Sequence, residues 1–302
     1  MNMTQLRAFH IVAHERSFTG AARAAGISQP TLSGQVKSLE DSYRVRLFER
    51  RGRGVQLTDL GQSLYAVTNR LFAMADEAQA LLAGSKALTR GHLRVAADSA
   101  YHVIPILAQL KQRHSGLTFA LSIGNSASVL KQLFDYEADV AVMAKMTSDP
   151  RLHTMEFRRD RLVLFVPRNH ALARRQRIRL TDLHGRELVL RERGSITREV
   201  FEQTLAERGV RPGNLVEVQT REGVREAVAA GFGIGVVFES EFGSDERFHP
   251  ILVSDADLAV AEYAICLHER RHIALVRAFL DIAAAIPPIR ASRRNAVAKR
   301  TS

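Results

Sequence analysis

Ser17–Lys37, SFTGAARAAGISQPTLSGQVK, is the stretch that decides how the rest of the chain is read. It has the pattern of two short helices joined by a tight turn. Ser17 and Thr19 are residue types whose side-chain oxygen satisfies a free amide at a helix start. Ala21, Ala22, Ala24 and Ala25 are strong helix formers, small enough for close packing. Gly26 supplies the left-handed residue that ends a helix. Ser28 can cap a second helix, and Pro30 falls in its first turn, where a missing amide costs nothing. In that helix Leu32, Val36 and Leu39 recur at i, i+4 and i+7 and face inward. The outer face is Gln29, Thr31, Ser33, Gly34, Gln35 and Lys37. Amides and hydroxyls without excess charge suit base edges in a major groove, with cations kept for phosphates.

Taken alone, this stretch also fits an ordinary amphipathic helix with a polar outer side. The flanks argue for DNA. Arg44, Arg46, Arg50, Arg51 and Arg53 follow, with Gly52 and Gly54 permitting a tight turn. A basic hairpin after a recognition helix reads as a wing that grips the DNA backbone. Leu6–Glu40, LRAFHIVAHERSFTGAARAAGISQPTLSGQVKSLE, and Arg46–Gly61, RLFERRGRGVQLTDLG, together resemble the N-terminal domain of LysR-type transcriptional regulators. Gly34 departs from that pattern, since the family more often has a long polar side chain there. The DNA-binding residues expected on this reading are Thr19, Ser28, Gln29, Pro30, Thr31, Ser33, Gln35, Lys37, Arg50, Arg51 and Arg53.

The charge distribution agrees. The net charge is +11 over 302 residues. Residues 1–58 carry +5 and residues 286–302 another +5, which leaves about +1 for the 227 between them. A uniformly cationic, membrane-adsorbing protein would not concentrate its charge in this way. The N-terminus lacks a signal-peptide shape and no apolar run reaches membrane-spanning length, so a cytoplasmic protein with no membrane partner is expected. The single cysteine, Cys266, lies in an apolar run and reads as a buried thiol in a reducing compartment.

Leu6, Phe9, Ile11 and Val12 form the apolar face of a first helix, with Phe18, Ala21, Ala22, Ala25 and Ile27 opposite. After the wing, Thr58 reads as the cap of a long helix with Asp59 in its first turn. Leu60, Leu64, Val67, Leu71, Met74, Ala78 and Leu81 then alternate spacings of four and three. A heptad seam about 36 Å long wants a partner helix. Two chains paired on it would present two recognition helices to a roughly palindromic operator on double-stranded DNA. The resemblance implies the same dimerising helix, a homodimer and further pairing into a homotetramer.

From His92 onward, apolar runs alternate with helical stretches. HLRVAA, LTFALSI, DVAVMA, RLVLFV, ELVLRE, GVVF and YAICL read as strands, and residues 103–114, 127–135, 197–208, 222–231 and 272–285 as helices. Alternation of this kind predicts a parallel-type α/β sheet. The length of the region and the late return of YAICL suggest two lobes with a crossover. The expected fold class is therefore α/β: a winged helix-turn-helix at 1–58, a linker helix at 59–90, a two-lobed periplasmic-binding-protein-like effector domain at 91–286, and a basic tail at 287–302.

Ligands of such a fold sit where strand ends meet helix starts, and helix starts favour anions. Three turns place hydroxyls or amides there: Asp98, Ser99 and Tyr101; Asn125 and Ser126; Ser195 and Thr197. Glu222 opens a further helix. A small anionic effector is expected, although each hydroxyl could also merely cap its own helix. ADSAYH, SIGN, YEADVAV, DPRLH, LVLRERGSITRE and REGVREAVAAGFGIGVV resemble the branch of the family associated with aminoethylphosphonate catabolism. That resemblance implies 2-aminoethylphosphonate or a breakdown product as effector. The phosphonate would lie on Ser99, Ser126, Ser195 and Thr197, and the amine near Asp98 or Glu222.

No enzyme, cofactor or metal is expected. The eleven histidines form no HExxH pattern, and no nucleophile elbow or Walker loop occurs. GFGIG at 231–235 follows a helix instead of opening one, so it is no dinucleotide fingerprint. The rival readings are a cytosolic solute-binding protein, or an enzyme of the α/β domain, with an accessory helical domain.

Overall fold

The structure is a computed structural model that describes residues 2–51, 54–83 and 91–286. The chain divides into two units, Met1–Ser85 with Phe134–Glu137, and Lys86–Leu133 with Ala138–Ser302.

The first unit opens with α1 (Met3–Glu15), α2 (Phe18–Ala25) and α3 (Gln29–Tyr43). Each start has its cap: Asn2 Oδ1 accepts the Thr4 amide, Ser17 Oγ that of Gly20, and Ser28 Oγ that of Thr31. Gly26 ends α2 at φ +66°, a backbone angle that costs most side chains energy. Ala8, Val12, Ala21, Ala22, Leu32 and Val36 close one small core; Leu6, Phe9, Ala13, Leu39 and Leu47 close another. Ile27, expected inside, is exposed, because its place just after the turn carries it off the buried face. The hairpin β1 (Phe48–Arg51) and β2 (Gly54–Leu57) pairs antiparallel. Glu40 of α3 accepts the amides of Leu47 and Phe48, which ties the hairpin to the third helix.

The long helix α4 (Asp59–Ala83) is capped by Thr58 Oγ1, which accepts the Gly61 amide at 3.0 Å. It packs on α1: Thr68 meets His10 at 3.2 Å, Tyr65 meets His14 at 3.1 Å, and Phe72 lies under His10 and Arg7. Of the heptad residues, Leu60, Val67, Leu71, Met74 and Ala78 are exposed and Leu64 is half-buried against the wing core. The side chain of Leu81 lies outside the described residues, as do the break at 84–90 and the tail at 287–302.

The second unit begins with β3 (Gly91–Ala97), α5 (Ala100–Arg113), β4 (Leu117–Ile123), α6 (Ser126–Phe134) and β5 (Val140–Met143). These strands run parallel in the order β4-β3-β5. The sixteen-residue strand β6 (Leu152–Pro167) then leaves this lobe. After the two-residue strand β7 (Arg177–Ile178) come β8 (Leu188–Arg191), α7 (Ile196–Glu207), β9 (Leu215–Val218), α8 (Arg221–Ala229) and β10 (Ile234–Phe238). A short helix α9 (Glu239–Phe242) and β11 (Phe248–Val253) lead to β12 (Ala259–Leu267) and α10 (Ala274–Ala284). Strands β8, β9 and β10 are parallel, whereas β6, β11 and β12 pair antiparallel.

The sheet is therefore mixed and not simply parallel. The reason is the crossover: β12 returns beside β6 over its first ten residues, and β6 continues beside β10 and β11. At Glu262/Tyr263 the register skips Phe157, a bulge at the crossing point. Leu93, Val95, Val103, Ile106, Val140 and Phe279 pack one lobe; Leu164, Leu188, Phe201, Ile234 and Ile251 pack the other. Strands β7, β9 and β11 have too few alternating apolar residues to stand out in the sequence.

Candidate functional site

In the first unit, the polar face of α3 is open. Gln29, Pro30, Thr31, Gly34 and Lys37 are exposed, and so is Thr19 on α2; Ser33 and Gln35 are half-buried. Ser28 is occupied as a cap, and its hydroxyl also bonds Thr31 Oγ1 at 2.7 Å. Nothing lies within 4 Å of the position a methyl would take on Gly34, so the helix surface is free to approach a flat partner there. Arg50 and Arg51 stand on the hairpin strand, but their side chains, and Arg53 altogether, lie outside the described residues.

In the second unit, two of the expected turns meet, at Gly194 and Asn125, and the third reaches the cleft only through the contact of Ser99 with Glu241. Ser99 caps α5 through the Tyr101 amide. Asn125 Oδ1 accepts the Ser128 amide at the start of α6. Gly194, at φ +92°, sits beside Asn125: a methyl there would lie 3.6 Å from its Nδ2. Ser126 is 5% exposed, and its hydroxyl has no hydrogen-bond partner. Ser195 precedes α7 without making a side-chain cap bond. Thr197 is buried and lines a cleft of about 270 Å³, counting the space that opens to solvent. The cleft is walled also by Arg191, Arg221, Arg225 and Glu241. Most of that space is open to solvent, and the enclosed part has room for about one water molecule.

Of the residues expected to bind the effector, Thr197 lines this cleft; Asp98, Ser99, Asn125, Ser126 and Ser195 are not among its walls, Tyr101 is 53% exposed, and Glu222 is exposed on the outer side of the α8 start. The neighbour of Glu222, Arg221, takes the inward place, because the first turn of a helix points successive residues about 100° apart. Asp98 is buried. One carboxylate oxygen accepts the Ala144 amide at 2.8 Å and the other has no partner.

Behind these residues lies a buried polar cluster that the sequence did not signal. His102 on α5 reaches Glu262 Oε1 at 3.2 Å, Asp160 Oδ2 at 3.5 Å and Ser240 Oγ at 3.1 Å. Burial alone would lower the imidazole pKa; the contacts with Asp160 and Glu262 outweigh it and raise the value to about 9. Burial, with Glu262 adding, pushes Asp98 up to about 7, against the Ala144 amide, Arg221 and His102. Ser99 donates to Glu241 Oε1, and Arg221 Nε donates to Glu241 Oε2 at 2.8 Å. These partners are separated by up to 160 residues in the chain, so no local spacing announces them. Burial pushes the Cys266 thiol up to about 11, which makes it unreactive at neutral pH. Among the described residues no group of three or more His, Cys, Asp or Glu side chains could hold a metal, and no helix is long and apolar enough to cross a membrane.

A helix-turn-helix with a β-hairpin wing, carried with a two-lobed unit whose cleft is walled by helix starts, defines a ligand-responsive DNA-binding regulator. Residues 3–62 match the model of the bacterial regulatory helix-turn-helix protein, lysR family, and residues 86–286 match the LysR substrate binding domain. The chain is 33% identical to the RuBisCO operon transcriptional regulator of Allochromatium vinosum, over 78% of this chain and 79% of that protein. A full-length OxyR from Pseudomonas aeruginosa superposes with TM-score 0.75 at 22% identity, covering 94% of this chain and 95% of that one. The CcmR regulatory domain of Synechocystis, solved in complex with 2-PG, superposes with TM-score 0.60 at 22% identity, over 66% of this chain and all of that one. The chain belongs to the LysR family of transcriptional regulators, which bind DNA, respond to small-molecule effectors and are not enzymes.

Proposed function

We propose that this regulator responds to a small phosphonate or phosphate anion, with 2-aminoethylphosphonate or a breakdown product of it as the particular effector. The acidic group would lie against Ser99, Ser126, Ser195 and Thr197, and the amine near Asp98. The observation that carries this reading is Ser126: a hydroxyl at a helix start, almost fully buried, with no partner. A buried polar group left unpaired is costly, and a ligand oxygen would satisfy it. The unpaired oxygen of Asp98 offers a second point for a ligand cation. The CcmR regulatory domain, of the same fold, was solved with 2-PG, which supports a small effector in such a unit.

In the cytoplasm, α4 would join two chains through Leu60, Val67, Leu71, Met74 and Ala78, with pairs assembling into tetramers on a roughly palindromic operator. Gln29, Thr31, Ser33, Gln35 and Lys37 would read the major groove, with Thr19, Ser28 and Pro30 beside them and Arg50, Arg51 and Arg53 on the backbone. The segments at 1–58, 59–90 and 91–286 would then be reader, coupler and sensor. Effector binding changes the DNA complex only if one arrangement of the pair binds it better than another. Isothermal titration of the full chain with 2-aminoethylphosphonate and with inorganic phosphate tests the effector. Saturable binding of the phosphonate, weaker for phosphate and lost in Ser126→Ala, is expected; equal or absent binding refutes it.

A further inference from the structure

We propose that Glu241 is a built-in competitor for the acidic group of the effector, and that Arg221 is the cation for which the two compete. This rests on the reading of the cleft as an anion site.

The geometry is a bridge between lobes. Ser99, on the first lobe at the start of α5, donates to one oxygen of Glu241. Arg221, at the start of α8 on the second lobe, donates through Nε to the other at 2.8 Å. A carboxylate held between a hydroxyl and a guanidinium is the arrangement a bound oxyanion would have. Glu241 is 2% exposed, so this is no surface pair that solvent screens away. Its backbone is pinned independently: Arg225 Nη2 donates to the carbonyls of Glu241 and Phe242 at 2.7 and 2.6 Å. The Arg225 guanidinium is itself lodged among Phe165, Phe242 and Phe248. The main chain of α9 is therefore anchored while its glutamate side chain can swing on three torsions.

Arg221 lines the cleft beside Thr197. A guanidinium has five donors, and its contact with Glu241 uses one of them. A doubly charged oxyanion binds arginine more strongly than a carboxylate does and can take two donors at once. It would displace Glu241, and Ser99 would lose its partner across the lobes at the same moment. The displaced carboxylate stays in a buried place and adds its negative charge to that of Asp98, the neighbour of Ser99, so a cation on the same ligand is favoured beside Asp98. The site thus selects a small zwitterion carrying a phosphonate or phosphate over a plain anion. Breaking the Ser99–Glu241–Arg221 bridge is also the local event through which occupancy reaches the spacing of the lobes.

The test is titration of the full chain with inorganic phosphate and with 2-aminoethylphosphonate, comparing wild type, Glu241→Gln, Glu241→Asp, Arg221→Gln and Ser126→Ala, each checked for an intact melting transition. Glu241→Gln keeps the shape and removes the competing charge. It should bind phosphate at least about tenfold more tightly than wild type and prefer the aminophosphonate less. Glu241→Asp, too short to bridge both partners, should tighten phosphate by a smaller factor. Arg221→Gln should lose both ligands. If Ser126→Ala abolishes binding but the Glu241 variants leave phosphate affinity unchanged or weaker, the competitor role is overturned and the cleft reading stands. If neither ligand binds the wild type or Glu241→Gln, the cleft reading fails and this inference with it.

Discussion

His102 places a cation among Asp98, Asp160 and Glu262, at the point where the two lobes cross. An imidazole held charged in a buried place must be matched by carboxylates, or the fold would expel the proton. The consequence for stability has a definite sign. The folded value of about 9 lies above the ordinary 6.5, so the protonated ring stabilises the fold fully below pH 6.5, and this is lost as pH rises toward 9. Asp98, raised to about 7, acts the same way lower down: the folded state favours its proton, so stability falls as pH rises from about 4 to 7. His102→Gln, neutral throughout, should therefore melt lower than wild type at pH 6 by several degrees and converge with it near pH 10. Scanning calorimetry across that range checks this; a constant gap between the two curves would deny the ring its charge. On the DNA side, Gln29→Ala should relax base preference, whereas Arg51→Ala should weaken all sequences alike, as measured by gel shift on operator and mismatched duplexes.

At the scale of elements, the start of α4 is fitted to the wing with no room to spare. A methyl on Gly61 would stand 2.1 Å from the Leu47 carbonyl oxygen and 3.0 Å from Leu57. Backbone cannot yield as a side-chain tip can, so Gly61→Ala should destabilise the first unit by about 1–3 kcal/mol. The expected readout is a lowered first transition and weaker DNA binding, with effector affinity unchanged. The same helix shows why its heptad spacing had two meanings. Thr68 and Phe72 lie off the seam and fasten α4 to His10 and Arg7 of α1. The seam itself faces outward, with Val67 60% and Met74 65% exposed. A large apolar stripe of this kind calls for a partner.

For the whole molecule, the two units have separate cores. Val67→Glu with Met74→Glu places like charges on facing helices of any α4 pair. Sedimentation equilibrium should show dissociation at micromolar concentration, and operator affinity should drop by about two orders of magnitude as one half-site is lost. The salt dependence of the remaining binding should also be shallower, since fewer phosphates are neutralised.

The helix-turn-helix, its caps, its core leucines and the seam were all legible in the sequence, because each depends on residues a few positions apart. Ser28, Pro30, Leu32, Val36 and Leu39 obey one local period. So were the turns that bring Ser99, Asn125, Ser126, Ser195 and Thr197 to helix starts, because strand-to-helix alternation has a local signature. What the sequence could not announce is which side chains meet across the crossover. Strands β6 and β12 carry Asp160 and Glu262 to His102, and α9 carries Glu241 to Ser99 and Arg221, over separations of twenty to more than a hundred residues. Glu222 looked like the cleft residue from its place in the helix cap, and the rotation of α8 gave that place to Arg221 instead. Local spacing determines elements and their faces; the partner of a buried charge is decided only when distant segments are packed together and water has been excluded from between them.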